Sequence, residues 1–172
     1  MAGLIHIYCG DGKGKTTASV GLAVRASGCG KKVLFTQFFK NGSSGEILPL
    51  RSLPNITVMH CPKSYGLFSR MTEEEKRQAQ EDYTALLQNV LKESENKDLL
   101  ILDEVISACN HGTVPQERLL DFLHNKPEQL EVVLTGRNPS GQLLELANYV
   151  TEMKKIKHPF DAGISARRGI EF

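Results

Sequence analysis

Eight residues near the start of the chain, GDGKGKTT from Gly10 to Thr17, have the composition of a phosphate-binding loop. Glycines let backbone N–H groups converge on phosphate oxygens, the following helix adds the positive end of its dipole, and Lys15 adds a full charge. Thr16 supplies a hydroxyl suited to Mg²⁺. The segment therefore predicts a polyphosphate site, with a plain glycine turn before a surface helix as the alternative. Cys9 stands where the usual loop has its first glycine.

Two acidic residues, Asp103 and Glu104, directly follow the apolar run LLIL. In a parallel sheet the carboxyl ends of the strands meet at one edge, and ligands bind there. Because Mg²⁺ prefers oxygen ligands, we expect these acids to complete a metal site with Thr16, although acids after a strand also cap helices. Arg137, in TGR after the next strand, is predicted at the same edge; a surface salt bridge is its alternative role.

The elements that must position these residues follow from the order of apolar runs and helical segments. Strand-length runs alternate with helical periods, which predicts an α/β fold: a P-loop NTPase-like domain with a mostly parallel β-sheet flanked by helices, a single domain over residues 1–172. A helix is expected from Lys15 to Ser27, with Val20, Ala23 and Val24 facing inward. Strands are expected at GLIHIYC, KVLFTQFF, NITVMHC, KDLLILDE, LEVVLTGR and YVTEMKKI.

The overall composition argues against several classes of protein. Twenty-one Lys and Arg against twenty Asp and Glu leave a net charge of +1, so no global field attracts nucleic acid or an anionic membrane. Apolar runs fall short of the roughly 20 residues of a membrane span, and the start of the chain lacks the features of a secretion signal. Cys9, Cys29, Cys61 and Cys109 are widely spaced, which favours reduced thiols in the cytoplasm.

Four stretches closely resemble the P-loop class of ATP:corrinoid adenosyltransferases, the cob(I)alamin adenosyltransferases: GDGKGKTTASVGLAVRASGCGKKVLFTQFFKNG, LLILDE, TGR and KHPFDAGISARRGIEF. The likeness runs through nearly the whole chain. The family's loop reads GNGKGKTT, so Asp11 replaces the usual Asn. In this family the residue before the loop is not the usual Walker glycine, which agrees with Cys9 at that position. The resemblance implies that the loop holds ATP in a flipped orientation. The nucleotide-binding residues expected are Gly10, Asp11, Gly12, Lys13, Gly14, Lys15, Thr16, Thr17 and Arg137.

The resemblance also implies the reaction. Co(I) of a reduced corrinoid attacks the 5′ carbon of ATP, and triphosphate leaves. No phosphoryl group moves and no general base is required, so fixed N–H groups, Lys15 and Mg²⁺ are expected to stabilise the charge that collects on the leaving group. On this interpretation Glu104 is a Mg²⁺ ligand together with Thr16, and Asp103 is the second choice.

The corrin site is where the sequence departs from the family. Related proteins place a Phe and a Trp against the lower face of the corrin, where their apolar bulk expels the lower axial ligand. This chain has no Trp, and its corresponding loop reads SYGLFSRM. We therefore expect Phe68, Tyr65 or Leu67 to supply the apolar face, with Phe68 as the catalytic candidate and core packing as its alternative. His158, in KHPFD, is a further candidate near the corrin.

Three hypotheses for the function stay open at this point. The first is an adenosyltransferase acting on ATP and a reduced corrinoid. The second is a P-loop ATPase or kinase of another kind, in which Glu104 activates water or aligns an acceptor hydroxyl. The third is a non-catalytic homologue that binds ATP or a corrinoid. The expected partners also include a flavoprotein reductant and a second copy in a homodimer; neither nucleic acid nor a membrane is expected. The basic segment MKKIK is a candidate surface for an acidic reductase, with solubility as its alternative role.

Overall fold

The computed structural model describes residues 2–40, 42–63, 65 and 68–171, with the backbone alone at Ser69. Six strands form one sheet in the order β3-β2-β4-β5-β1-β6, and every pairing is parallel. The α/β fold expected from the sequence is therefore confirmed. The strands are β1 (Ile5–Cys9), β2 (Val33–Gln37), β3 (Ile56–His60), β4 (Leu99–Asp103), β5 (Glu131–Thr135) and β6 (Tyr149–Glu152).

Helices connect successive strands, as parallel pairing requires. Short 3₁₀ turns at Phe68–Arg70, Ser94–Asn96 and Pro159–Ala162 complete the regular structure of the described residues. Among these residues, no helix has the length and apolar character needed to cross a bilayer. The helices are α1 (Lys15–Gly28), α2 (Ile47–Ser52), α3 (Glu73–Glu93), α4 (Val105–Asn110), α5 (Gln116–Asn125) and α6 (Gly141–Leu146).

Apolar side chains pack against both faces of the sheet. One face meets α3, α4 and α5, where Tyr83 and Leu87 belong to the same cluster as Leu102 of β4. The other face meets α1 and α2 and includes Phe35 and Ile101. Every residue of β2 and of β4 is buried, because helices cover these central strands on both sides. The rigid centre of the sheet thus fixes where β2 and β4 end.

Helix α1 lies close to the predicted range, but its inward face differs from the expectation. Val24 is 44% exposed, so the prediction that it faces inward is wrong. Buried positions recur every four residues from Lys15, which directs Ala23 rather than Val24 toward the sheet. The buried side chains of α1 are Lys15, Ser19, Ala23 and Ser27.

The segment after β6 crosses the carboxyl edge of the sheet. Strand β6 ends at Glu152 rather than continuing to Ile156, because the backbone of Met153 turns to pair with the glycine loop. The side chains that follow are mostly exposed, yet Gly169, Ile170 and Glu171 line a cavity beside that loop. The predicted last strand is therefore shorter than expected.

Candidate nucleotide site

The glycine loop joins β1 to α1 and is held in place by the residue that follows β6. The N–H of Met153 donates to the carbonyl of Cys9 at 2.8 Å, and the N–H of Gly12 donates to the carbonyl of Met153 at 2.6 Å. A side chain at Gly12 would overlap this carbonyl. Gly14, the residue before α1, has φ 118°, a conformation that glycine adopts without strain. The path of the loop thus depends on its glycines.

Lys15 begins α1 and folds back across the loop. Its ammonium donates to the carbonyl oxygens of Gly10 at 2.8 Å and of Gly12 at 3.0 Å. Burial lowers the pKa of Lys15, and the nearby Glu104 carboxylate opposes that shift. A buried cation held by two carbonyls is a strong potential partner for a phosphate, because hydrogen bonds between ionised groups are stronger than those to neutral carbonyls.

Asp103, the last residue of β4, is completely buried and collects hydroxyl donors. The Thr16 hydroxyl lies 2.9 Å from Oδ1 and 3.1 Å from Oδ2 of this carboxylate. The Thr135 hydroxyl donates to Oδ1 at 2.7 Å. The structure therefore brings Asp103, the second choice from the sequence, next to the threonine of the loop.

Glu104 follows in a different conformation and with a different partner. Its φ of 62° lies in the left-handed region, and its N–H donates to the Thr135 hydroxyl at 2.9 Å. Its carboxylate accepts a hydrogen bond from the Ser107 hydroxyl at 2.6 Å. Glu104 also lines a cavity of about 190 Å³ together with residues 11–17 of the glycine loop. Both acids thus reach the site, and which of them binds a metal stays a prediction.

Three polar residues around Asp103 were missed by the sequence analysis. Gln37 is completely buried, and its amide donates to Glu46 Oε1 at 2.6 Å and to Asp103 Oδ2 at 3.3 Å. The Lys40 ammonium lies 3.4 Å from Glu46 Oε1 and 3.5 Å from Asp103 Oδ2. The sequence does contain a signal, because the apolar strand β2 ends in the polar residue Gln37. That signal points to Asp103 only when β2 is known to pair with β4, which places Gln37 opposite Asp103.

These residues fit a Mg²⁺ ion bound together with a nucleotide. Thr16 and Asp103 offer hard oxygen atoms, and Gln37 Oε1 is a buried acceptor with no hydrogen-bond partner among the described residues. Within the same residues, no three His, Cys, Asp or Glu side chains form a metal cluster of their own. Mg²⁺ at a nucleotide needs only one or two carboxylates from the protein, since phosphates and waters complete its coordination.

Arg137 lies at the predicted edge, beside the loop. Its Nε is 3.7 Å from Asp11 Oδ1, and both side chains are well exposed, so this ion pair contributes little to stability. Arg137 and Asp11 line a cavity of about 630 Å³ together with His158 and Phe160. The guanidinium is thus available to an anion at the mouth of the loop.

Phe68 lies apart from the loop residues. Its ring stacks on His111, with centroids 4.6 Å apart and planes at 25°, and both line a separate cavity of about 250 Å³. Tyr65 donates its hydroxyl to the Asp82 carboxylate; burial and this bond raise the pKa of Tyr65. Phe68 and Tyr65 are both partly buried against the core, and Leu67 lies outside the described residues. The structure leaves open both core packing and a corrin contact for Phe68.

Comparison with known proteins gives consistent results. Residues 1–172 match the family described as ATP:corrinoid adenosyltransferase BtuR/CobO/CobP. A corrinoid adenosyltransferase of Escherichia coli K12 is 34% identical over 177 residues, covering 99% of this chain and 86% of that protein. One from Pseudomonas aeruginosa is 34% identical over 171 residues, covering 99% and 84%.

A solved structure supports the fold alone. ATPase domains 2 and 3 of EssC from Geobacillus thermodenitrificans superpose with a TM-score of 0.56 at 12% identity. The match covers 97% of this chain and 35% of that one, so the chain spans about a third of this structural neighbour.

Replacing Gly12 with alanine tests whether the loop's path is needed for anion binding. We expect Gly12→Ala to weaken binding of magnesium triphosphate about tenfold or more, because the added methyl must push the loop away from the Met153 carbonyl. Gly21→Ala is the matched control: a Cβ there meets no atom within 4 Å, so affinity should not change. Calorimetric titration measures both, and equal affinities would contradict the assigned role of the loop.

Proposed function

The chain belongs to the ATP:corrinoid adenosyltransferase family and is an adenosyltransferase, and we propose that the loop at the start of α1 holds the triphosphate of ATP while the 5′ carbon faces the reduced corrinoid. The observation that carries this proposal is the Lys15 ammonium, which is held at 2.8 Å and 3.0 Å by the loop's own carbonyls. A bound polyphosphate would compete for this cation and for the N–H groups of the first helical turn.

The proposed chemistry needs stabilisation of a leaving group rather than activation of a nucleophile. Co(I) of the corrinoid donates its electron pair to the 5′ carbon as the bond from that carbon to the triphosphate oxygen breaks. Negative charge then collects on the triphosphate, close to Lys15, Lys13 and the loop N–H groups. Because these groups are fixed before the reaction, they can favour the transition state without reorganisation. We expect Arg137, which lines the same cavity as the loop, to contact this anion as well.

The proposal includes a Mg²⁺ ion between the triphosphate and the end of β4. The Thr16 hydroxyl and one carboxylate of the Asp103–Glu104 pair would hold it; the contact between Thr16 and Asp103 favours Asp103. When bound, the ion neutralises charge on the triphosphate. Gln37 and Thr135 also donate hydrogen bonds to the Asp103 carboxylate, and these bonds fix its orientation.

For the corrin we propose the loop that carries Phe68. An apolar ring at the lower face of a corrin excludes an axial ligand, and a Co(II) centre without that ligand is easier to reduce. The His111 ring stacks on Phe68. Lys76, on α3, has its Nζ 5.6 Å from the centroid of the Phe68 ring. The Tyr65 hydroxyl donates a hydrogen bond to Asp82 of α3.

Further features of the proposal concern the whole protein. Residues 1–172 form a single domain, and the protein acts in the cytoplasm, where its four free cysteines stay reduced. A flavoprotein supplies the electron to the corrinoid, and the basic segment Met153–Lys157 next to the loop suits an acidic surface on such a reductase. A homodimer is the proposed assembly.

Product analysis tests the proposed function directly. Protein, MgATP and chemically reduced cobalamin should yield the light-sensitive adenosyl product and one intact triphosphate per turnover. Release of ADP or orthophosphate without any corrinoid would instead identify an ATPase. Binding of ATP without any product, detected as a raised melting temperature, would identify a non-catalytic homologue.

Paired substitutions of the two acids test the metal site. Mg²⁺ is expected to raise the affinity for ATP, and we expect Asp103→Asn to reduce this increase by a factor of about ten or more. The reason is that the amide lacks the negative charge beside Thr16. Glu104→Gln should have a smaller effect, since its carboxylate is already bonded to Ser107. Titrations with and without Mg²⁺ measure both, after melting curves show that each variant is folded. The reverse order would assign the metal to Glu104.

Replacing Phe68 tests the apolar face. Phe68→Ala should leave ATP affinity and the rate with Co(I) corrinoid near those of the wild type, yet slow the reaction at least about tenfold when Co(II) must first be reduced. Phe122→Ala is the control: it removes an equal, partly buried ring that packs against the same core but does not line the cavity beside Phe68. An unchanged Co(II)-dependent rate would remove Phe68 from the corrin site.

A further inference from the structure

Lys40 holds an unusual position, between two carboxylates at the metal end of the site. Its ammonium lies 3.4 Å from Glu46 Oε1 and 3.5 Å from Oδ2 of the completely buried Asp103. The lysine side chain itself keeps 30% of its surface exposed. Lys40 is therefore a charged partner of the buried Asp103 whose own side chain is still in contact with solvent.

The backbone before Lys40 is held in a costly conformation that aims this side chain at the site. Phe39 has φ 59°, which is rare for an aromatic residue. Its ring packs edge-on against Tyr83 at 5.4 Å and His111 at 5.7 Å, and these contacts hold the turn that follows β2. The position of Lys40 is thus fixed by the core rather than by its ion pairs alone.

Lys40 also faces the space in front of the glycine loop. A cavity of about 320 Å³ has Lys40 and Glu46 on one wall and Lys13, Thr16 and Thr17 on another. An anion bound to the loop would extend into this cavity. The ammonium therefore borders both the buried carboxylate and the space for a polyphosphate.

A metal ion at Thr16 and Asp103 makes the present position of Lys40 unfavourable. The Asp103 carboxylate would then carry a divalent cation and an ammonium side by side, and two positive charges at such a distance repel each other. Lysine is a compact charge on a flexible stem, so a rotation of the side chain can relieve the repulsion. Glu46 would remain within 3.4 Å of the ammonium, and a triphosphate in the shared cavity would add a second and larger negative charge within reach of the lysine.

We propose that Lys40 is a further triphosphate-binding residue, whose ammonium neutralises Asp103 and Glu46 before the nucleotide binds and then pairs with the triphosphate. This inference rests on the proposed function, because it takes the metal and the triphosphate as given. Glu46 stays in place through its 2.6 Å bond from Gln37, so only the lysine moves. The same ammonium then stabilises the charge that develops on the leaving triphosphate.

Calorimetric binding of inorganic triphosphate with Mg²⁺ tests this inference without any adenosyl transfer. Lys40→Gln should weaken binding at least about tenfold, and Lys40→Arg should retain most of the affinity because the charge is kept. Lys31→Gln is the matched control: this lysine pairs with Asp98 at 3.8 Å at the amino end of β2, and its loss changes the net charge equally. Its affinity should equal that of the wild type.

A second background guards against a folding defect. The double variant Lys40→Gln/Glu46→Gln removes one positive and one negative charge, so the net charge of the network is unchanged. Its triphosphate affinity should be lower than that of Glu46→Gln alone by the same factor that Lys40→Gln causes in the wild type. Unchanged or tighter binding in both backgrounds, with a lower melting temperature for Lys40→Gln alone, would reduce Lys40 to a counter-ion and overturn the inference. If the folded wild type itself fails to bind magnesium triphosphate, the proposed nucleotide site falls, and the inference falls with it.

Discussion

A completely buried carboxylate sets the constraint on which the rest of the site depends. Asp103 ends the central strand β4, and a charge removed from water must be compensated by hydrogen bonds or by an opposite charge. Its oxygen atoms gather the hydroxyls of Thr16 and Thr135, the amide of Gln37 and the ammonium of Lys40. These donors come from three separate parts of the chain: the start of α1, strand β5, and strand β2 with the turn that follows it. The need to satisfy one carboxylate therefore brings the glycine loop, β2 and β5 to a common point.

The same network suits a reaction at carbon. A transfer from ATP to cobalt requires a leaving triphosphate that is well stabilised, whereas hydrolysis requires a group that activates water. Glu104, which could serve as such a base, is bonded to Ser107. Three positive side chains instead line the cavity at the loop: Lys13, Lys15 and Arg137. The distribution of charge thus agrees with the adenosyltransferase activity that the family shares.

Aromatic contacts connect the loop that carries Phe68 with the metal end of the site. Phe68 stacks on His111, and His111 and Tyr83 both contact Phe39, which directly precedes Lys40. On the proposed function, this chain of rings links the corrin loop to the cation network.

The sequence by itself determined the order of strands and helices, the glycine loop, and the acids and arginine at the strand ends. These features are local, because loop composition, strand-length apolar runs and residue spacing are written in neighbouring positions. It did not determine that Val24 faces outward, that Asp103 rather than Glu104 contacts Thr16, or that Gln37 and Lys40 join the site. Those outcomes depend on which strands pair and on how α1 turns over the sheet. Only the tertiary structure decided them, because contacts between residues far apart in the sequence follow from the packing of the whole sheet. Gln37 and Asp103, for example, are separated by 66 positions.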